Sequence, residues 1–145
     1  MLDHRWIAAH IPHQGSMCLL DEVLTWDAAE LRARATSHRS PDNPLRADGR
    51  LGAATGIEYA AQAMAVHGVL LAGDGQPLGV GYLASVRSVR LHTDRLDDIA
   101  DDLEVRVQRL SGDAAVILYA FDLLAGGRTL IDGRASVVLD AARLG

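Results

Sequence analysis

The sequence predicts an α+β domain in which a curved antiparallel β-sheet wraps around one long central helix. Residues 54–72 form an apolar stretch whose apolar side chains run nearly all the way round at a period of 3.6 residues, so this helix has to be enclosed. Two strand-like segments precede it and about four follow it. A chain of 145 residues suits a single domain over residues 1–145.

The segments before the helix have the composition of strands. Residues 18–27 (CLLDEVLTWD) are a short apolar run, and residues 31–36 (LRARAT) alternate apolar and polar side chains. Alternation of this kind places one set of side chains on the buried face of a sheet and the other set in solvent. Leu31, Ala33 and Ala35 are therefore expected to face inward.

The segments after the helix continue this pattern, over residues 79–92, 103–110, 114–124 and 128–139. In SVRSVRLH the alternation slips between Val86 and Val89, which predicts a β-bulge. The turn sequences SGD and AGG that separate the last three segments are spaced for antiparallel hairpins. One helix cannot cover every edge of so small a sheet, so edge-to-edge association of two chains is expected.

Composition limits the classes of function. The net charge is −5, which argues against nucleic-acid binding. The polar residues Glu58, Gln62 and His67 lie within the long apolar stretch, so an enclosed helix explains it better than a membrane span. The first residues lack the unbroken apolar core of an export signal, and Cys18 is the single cysteine, so a cytoplasmic protein is expected.

No metal or cofactor motif is predicted. Residues 93–102 (TDRLDDIADD) carry five aspartates but lack the glycine and ligand spacing of a calcium-binding loop, so a solvated turn is expected. The sequence contains no P-loop, no dinucleotide fingerprint and no Ser-His-Asp spacing.

Glu58 is the one carboxylate of residues 54–72, and two explanations stay open for it. Residues 55–58 (TGIE) fit a capping box, in which Thr55 caps the helix and the Glu58 side chain returns to the Thr55 N–H. Alternatively, an acid held in apolar surroundings serves catalysis.

A family resemblance bears on this choice. Residues 11–23 (IPHQGSMCLLDEV) resemble the PHR-P-LLVDR opening of the 3-hydroxyacyl-acyl-carrier-protein dehydratases of the FabA/FabZ type, and residues 56–64 (GIEYAAQAM) resemble the LE-AQ start of their helix. Residues 43–68 and 81–92 are more similar still to the dehydratase subgroup of aryl polyene biosynthesis clusters. The resemblance spans nearly the whole chain.

The resemblance implies a hot-dog fold and a homodimer or heterodimer with active sites between the subunits. It implies a substrate carried as a thioester on the phosphopantetheine arm of an acyl carrier protein, with no other cofactor. In these dehydratases the acid matching Glu58 helps the 3-hydroxyl leave as water, while a histidine of the other subunit removes a proton beside the carbonyl. Backbone N–H groups near the helix start hold the carbonyl oxygen, which at this chain's positions points to Ala53 and Ala54.

The base is to be sought among six histidines. The resembling enzymes carry theirs in a GHFPG segment before the helix, where residues 40–52 (SPDNPLRADGRLG) have none. His13 of the PH pair ranks first, and a histidine that bonds turn backbone is the alternative for it. His38, at the end of a strand, ranks second, with a solvent-exposed strand end as the alternative.

Other side chains are predicted to assist. Gln62, one turn after Glu58, is spaced to orient its carboxylate. Asn43 lies in the loop expected to cross the mouth of the site, although a turn role explains it better. The weaker candidates for binding a carrier protein or phosphate are Arg46, Arg50, Arg87 and Arg90.

Two other functions stay open beside a dehydratase. The missing GHFPG histidine fits a catalytically weak hot-dog subunit that pairs with an active dehydratase paralogue. A thioesterase also fits, because hot-dog thioesterases carry an acid on this helix and need no such histidine.

Overall fold

The computed structural model of the chain describes residues 2–11, 15–73, 82–113 and 115–138. The described helices are α1 (His4–His10) and α2 (Gly56–Ala72). The described strands are β1 (Glu22–Trp26), β2 (Glu30–Ala35), β3 (Tyr82–Leu91), β4 (Leu103–Gly112), β5 (Val116–Ala125) and β6 (Arg128–Val138).

The strands form one antiparallel sheet in the order β1-β2-β4-β5-β6-β3. The predicted α+β architecture is confirmed, because two strands precede the long helix and four follow it. The turn sequences SGD and AGG lie at the two predicted hairpins, which join β4 to β5 and β5 to β6. Strands β1 and β3 are the two ends of this order.

The inner face of the sheet packs against α2. Leu31 lies opposite Val107, and Val107 lies opposite Phe121, so one apolar row crosses three strands. Leu31, Ala33 and Ala35 are fully buried, which confirms that this side of β2 faces inward. The buried apolar residues on the helix are Tyr59, Ala60, Ala63, Met64 and Val66.

Helix α2 begins where it approaches the sheet most closely. A Cβ atom added to Gly56 would lie 3.0 Å from Cδ2 of Leu123 and 3.2 Å from Cγ2 of Ile131. Contacts that short are rare in a packed interior, so a glycine at this position lets the helix start rest on β5 and β6. The first turn of α2, which carries Glu58, is thereby fixed against the sheet.

The predicted bulge in β3 is confirmed. Arg87 pairs with Arg134 and Arg90 pairs with Asp132, so Ser88 and Val89 together oppose one residue of β6. Ser88 adopts a φ of 55°, a left-handed conformation that is uncommon for a residue with a Cβ atom. The bulge restores the alternation of faces that the sequence loses between Val86 and Val89.

Candidate functional site

Glu58 is the third residue of α2 and is half-buried. The predicted capping box is wrong. The Thr55 N–H and the Thr55 hydroxyl both donate to the carbonyl oxygen of Gly52, at 3.1 and 2.6 Å, because a short 3-10 turn (Ala53–Thr55) precedes the helix. Capping through Thr55 therefore does not explain a carboxylate at this position.

The predicted oxyanion donors differ in what they bond. The N–H of Ala53 donates to the carbonyl oxygen of Asp94 at 3.0 Å, and Ala53 is buried. Its prediction as an oxyanion donor is wrong, because the donor is already used. Ala54 is exposed, and no acceptor for its N–H lies among the described residues, so its role stays a prediction.

The loop of residues 94–97 holds the segment that precedes α2 in place. The Leu51 N–H donates to a carboxylate oxygen of Asp97 at 2.9 Å, and the Leu51 carbonyl accepts from the N–H of Leu96 at 2.8 Å. The Arg95 guanidinium pairs with the same carboxylate and, with the Leu51 N–H, holds the pKa of Asp97 well below its usual range. These contacts, together with the bond from Ala53 to Asp94, tie residues 51–53 to residues 94–97.

Gln62 does not orient Glu58. Its side chain is fully buried, its Nε2 donates to the carbonyl of Met17 at 2.7 Å, and its Oε1 accepts from the N–H of Leu19 at 2.9 Å. The predicted role is wrong because the amide already satisfies two backbone groups of a distant segment. Gln62 instead clamps residues 17–19 against α2, one helical turn beyond Glu58.

Tyr59, next to Glu58, is the centre of a buried polar cluster that the sequence did not indicate. Its hydroxyl lies 2.8 Å from Oγ of Ser37 and accepts from Nδ2 of Asn43 at 3.1 Å. Burial raises the pKa of Tyr59, so the phenol stays neutral. Asn43 also donates to the Ser37 carbonyl, and its Oδ1 accepts from the N–H of Leu45 at 2.9 Å. Asn43 thus anchors the loop before α2, and the turn explanation holds for it.

His38 is fully buried, so its alternative as a solvent-exposed strand end is wrong. Its Nε2 lies 3.1 and 3.0 Å from the carbonyl oxygens of Ile99 and Asp101, which fixes the ring proton on Nε2. Its Nδ1 is buried with no hydrogen-bond partner among the described residues. Burial lowers the pKa of this imidazole. The enclosed ring contradicts the prediction that His38 acts as a base on a substrate.

His13 lies outside the described residues. On its carboxyl side the described chain resumes at Gly15, and Gln62 holds the backbone of Met17 and Leu19 beside the helix. His13 therefore stays a prediction.

The four candidate arginines lie in two different elements. Arg46 donates to the carbonyl oxygens of Ser40, Gly49 and His38, which takes three of its five N–H donors for the loop itself. Arg50 is exposed in the same loop. Arg87 and Arg90 lie on β3, where Arg90 bonds Asp132 at 3.0 Å.

A groove of about 860 Å³ lies on the face of the sheet opposite α2. It is lined by residues of β2, β3, β4, β5 and β6, such as Arg106, Asp122 and Arg134. Burial raises the pKa of Asp122 within it, against the opposing effect of Arg106. Glu58 does not line this groove.

The described part of the chain was searched for a membrane-spanning helix and for a metal site. No helix there is long and apolar enough to cross a membrane. No group of three or more His, Cys, Asp or Glu side chains in the same residues is arranged to hold a metal ion.

Comparison with known families gives one match over nearly the whole chain. Residues 5–143 match the ApeP-like family, described as ApeP dehydratase. No curated protein matches the sequence.

Solved structures share the fold. The dehydratase heterocomplex ApeI:P from Xenorhabdus doucetiae superposes with a TM-score of 0.83 at 22% identity, covering 95% of both chains. A mutant of the thioesterase PA1618 from Pseudomonas aeruginosa gives 0.59 at 12% identity, over 81% of this chain and 79% of that one. AziG from S. sahachiroi gives 0.61 at 13% identity, over 81% and 89%. The predicted hot-dog fold is confirmed.

Proposed function

Because the chain belongs to the ApeP-like dehydratase family, we propose that it eliminates water from a 3-hydroxyacyl thioester in aryl polyene synthesis. The substrate would be carried on the phosphopantetheine arm of an acyl carrier protein, and the product would be the trans-2-enoyl thioester. The family match over residues 5–143 carries this proposal. The position of Glu58 in the first turn of the enclosed helix supports it.

The elimination needs one base and one acid. The base takes a proton from the carbon next to the thioester carbonyl, and the electron pair left behind delocalises onto the carbonyl oxygen. As that pair returns to form the carbon–carbon double bond, the C3–O bond breaks and the acid protonates the departing hydroxyl, giving water. The reaction is redox-neutral and requires no further cofactor.

Glu58 is our candidate for the acid. Its place in the first turn puts it beside the N–H groups that precede the helix, so acid and oxyanion donors lie within a few residues of each other. Ala54 is the remaining candidate donor, and a single positioned donor of this kind is worth about 10²–10³ in turnover. The Gly56 contact with β5 and β6 keeps this turn rigid, which favours a preorganised site.

His13 is our candidate for the base. It lies four positions before Met17, whose carbonyl is held by Gln62 beside α2. Four residues span at most about 14 Å, which limits the distance between His13 and Met17. In the dehydratases that the chain resembles, the histidine comes from the other subunit, and His13 would then face the acid of a partner chain.

A second chain of the same fold is the proposed partner, with the acyl carrier protein as the source of substrate. Strand β3 is an end strand of the sheet, and Leu83 and Leu91 on it are 39% and 50% exposed. The ApeI:P protein of Xenorhabdus doucetiae is a dehydratase heterocomplex. We therefore favour a heterodimer with a dehydratase paralogue over a homodimer, in the cytoplasm.

Two alternatives remain open, each with an observation behind it. Residues 40–52 contain no histidine, which favours a catalytically weak subunit that supports an active paralogue. Structures described as thioesterases share the fold, which favours hydrolysis of an acyl thioester.

One assay separates these functions. The chain, alone and mixed with a hot-dog dehydratase paralogue, is given a 3-hydroxyacyl thioester on carrier protein. We expect the enoyl thioester to form. Free thiol in its place selects the thioesterase. A dehydratase role of either kind is contradicted if the chain alone forms no enoyl thioester and also leaves the turnover of the paralogue unchanged.

A further inference from the structure

Strand β3 has one hydrogen-bonded neighbour. It pairs with β6 over Tyr82–Val138 to Leu91–Ile131, and no strand among the described residues lies on its other side. An open edge of ten residues offers a row of unpaired backbone donors and acceptors to another chain. What distinguishes this edge from an ordinary one is the charge on its outer face.

Most arginines on the outer face of the sheet have a carboxylate partner. Residues on this face alternate with the buried ones along each strand, and acids and bases face each other across neighbouring strands. The pairs are Arg32 with Glu104, Arg34 with Glu22, Arg106 with Asp122, and Arg90 with Asp132.

Arg87 and Arg134 break this rule. They are direct partners across β3 and β6, and both are exposed. No carboxylate among the described residues lies within ion-pair distance of either one. Like charges directly opposite each other destabilise a sheet, so two adjacent unpaired arginines at its open edge carry a cost within the isolated chain.

Pairing with a second copy would not relieve that cost. Two copies related by a two-fold axis bring their β3 strands together antiparallel, and residues that oppose each other across such strands share a face. If both helices lie on one side of the joined sheet, Arg87 must oppose Ser85, Arg87 or Arg90 of the second copy. Strand β3 contains two arginines and no acid, so none of these registers supplies a carboxylate from the strand.

We propose that Arg87 and Arg134 select the partner chain, favouring a hot-dog subunit whose edge strand carries carboxylates on its outer face and disfavouring a second copy of this chain. This inference rests on the heterodimer of the proposed function and names the residues that choose its partner. Opposite charges attract across the joined edge and like charges repel. The same two side chains therefore stabilise the complex with the correct partner and destabilise the complex between two copies of this chain.

The test uses this chain against a charge-reversed copy of itself. The variant R87E/R134E presents carboxylates at the same two positions, so wild type and variant are complementary while each repels itself. Sedimentation velocity of a trace of fluorescently labelled wild type measures its affinity for unlabelled wild type and for unlabelled variant. We expect the mixed pair to be at least about tenfold tighter at low salt.

Salt provides a second readout with opposite signs. Raising ionic strength from about 20 mM to 500 mM shortens the Debye length from roughly 20 Å to about 4 Å, so it should weaken the mixed pair and strengthen wild-type self-association. The matched control is R5E/R128E, which makes the same charge change at two exposed arginines outside β3. The control should associate with wild type no better than wild type does.

Three results would overturn the proposal. They are wild-type self-association as tight as the mixed pair, equal gain from the control variant, and no association of the mixed pair at any salt concentration. All of these results are measured as molecular mass and do not depend on catalysis. An unaltered turnover after removal of the Glu58 carboxyl would therefore reject the proposed acid without contradicting the proposal on partner selection.

Discussion

The Nδ1 atom of His67 lies 2.8 Å from the hydroxyl oxygen of Tyr119, and both side chains are buried. The Nε2 atom of the same ring lies 2.8 Å from the carbonyl oxygen of Asp27. A carbonyl only accepts, so the ring proton is on Nε2, and Nδ1 accepts the phenolic proton of Tyr119. This one side chain therefore joins α2 to β5 and to the turn between β1 and β2.

Removing the Tyr119 hydroxyl should cost stability through the histidine left behind. In Tyr119→Phe the buried Nδ1 of His67 has no donor, so we expect a loss of about 1–3 kcal/mol in the free energy of unfolding, measured by urea denaturation. A double-mutant cycle with His67→Leu provides the control. If the changes in the free energy of unfolding of the two single variants add up to that of the double variant, the hydrogen bond between the two side chains contributes nothing to stability.

Acid should destabilise the fold through two buried histidines, His38 and His67. Burial lowers the pKa of both His38 and His67 below the ordinary value of 6.5. The unfolded chain then binds protons first as pH falls. The stability that comes from keeping the two buried rings neutral is therefore complete above about pH 6.5 and is lost as pH falls toward their folded-state pKa values. Aspartates with lowered pKa values, such as Asp97, stay ionised in that window.

The measurement is the urea midpoint between about pH 7.5 and pH 5. We expect it to fall steadily below about pH 6.5, and to fall less in His67→Leu, which removes one of the two buried imidazoles. A midpoint that is constant across this range would show that burial of the two rings is not linked to proton binding.

Gln62 should matter for both stability and turnover. In Gln62→Leu the Leu19 N–H and the Met17 carbonyl lose their partner, at a cost of about 2 kcal/mol or more. The detached segment leads to His13, so we also expect the rate of dehydration to fall in protein that is still folded. The matched control is Gln108→Leu, an exposed residue of β4, which should change neither quantity. Equal effects of the two variants would exclude the clamp.

Local patterns in the sequence predicted the elements of this fold well. Alternation in β2 identified Leu31, Ala33 and Ala35 as buried, because a strand has a period of two wherever one face meets a core. The slip between Val86 and Val89 located the bulge for the same reason. Helix α2 was recognised from its apolar surface, which only an enclosing sheet can cover.

Contacts between distant segments could not be predicted in this way. Gln62 has the spacing to reach Glu58. It bonds instead to Leu19 and Met17, which precede it by 43 and 45 positions. His38 has the local sequence of a strand end, yet carbonyls 61 and 63 positions later enclose it. The capping box at Thr55 failed because a 3-10 turn brought the Gly52 carbonyl to the donors first. In each case a backbone group supplied by tertiary structure outcompeted the side-chain partner suggested by spacing.

Replacing the carboxyl of Glu58 should slow dehydration strongly. Glu58→Gln keeps the shape of the side chain but cannot donate the proton that the departing hydroxyl needs, so we expect dehydration to slow by about 10²–10⁴. The melting temperature of the variant is measured beside its turnover, so that a loss of folded protein is distinguished from a loss of chemistry. The control Glu30→Gln removes an exposed carboxylate on the outer face of the sheet and should keep full activity. Dehydration at the wild-type rate by folded Glu58→Gln, alone and with a partner subunit, would remove Glu58 from the mechanism.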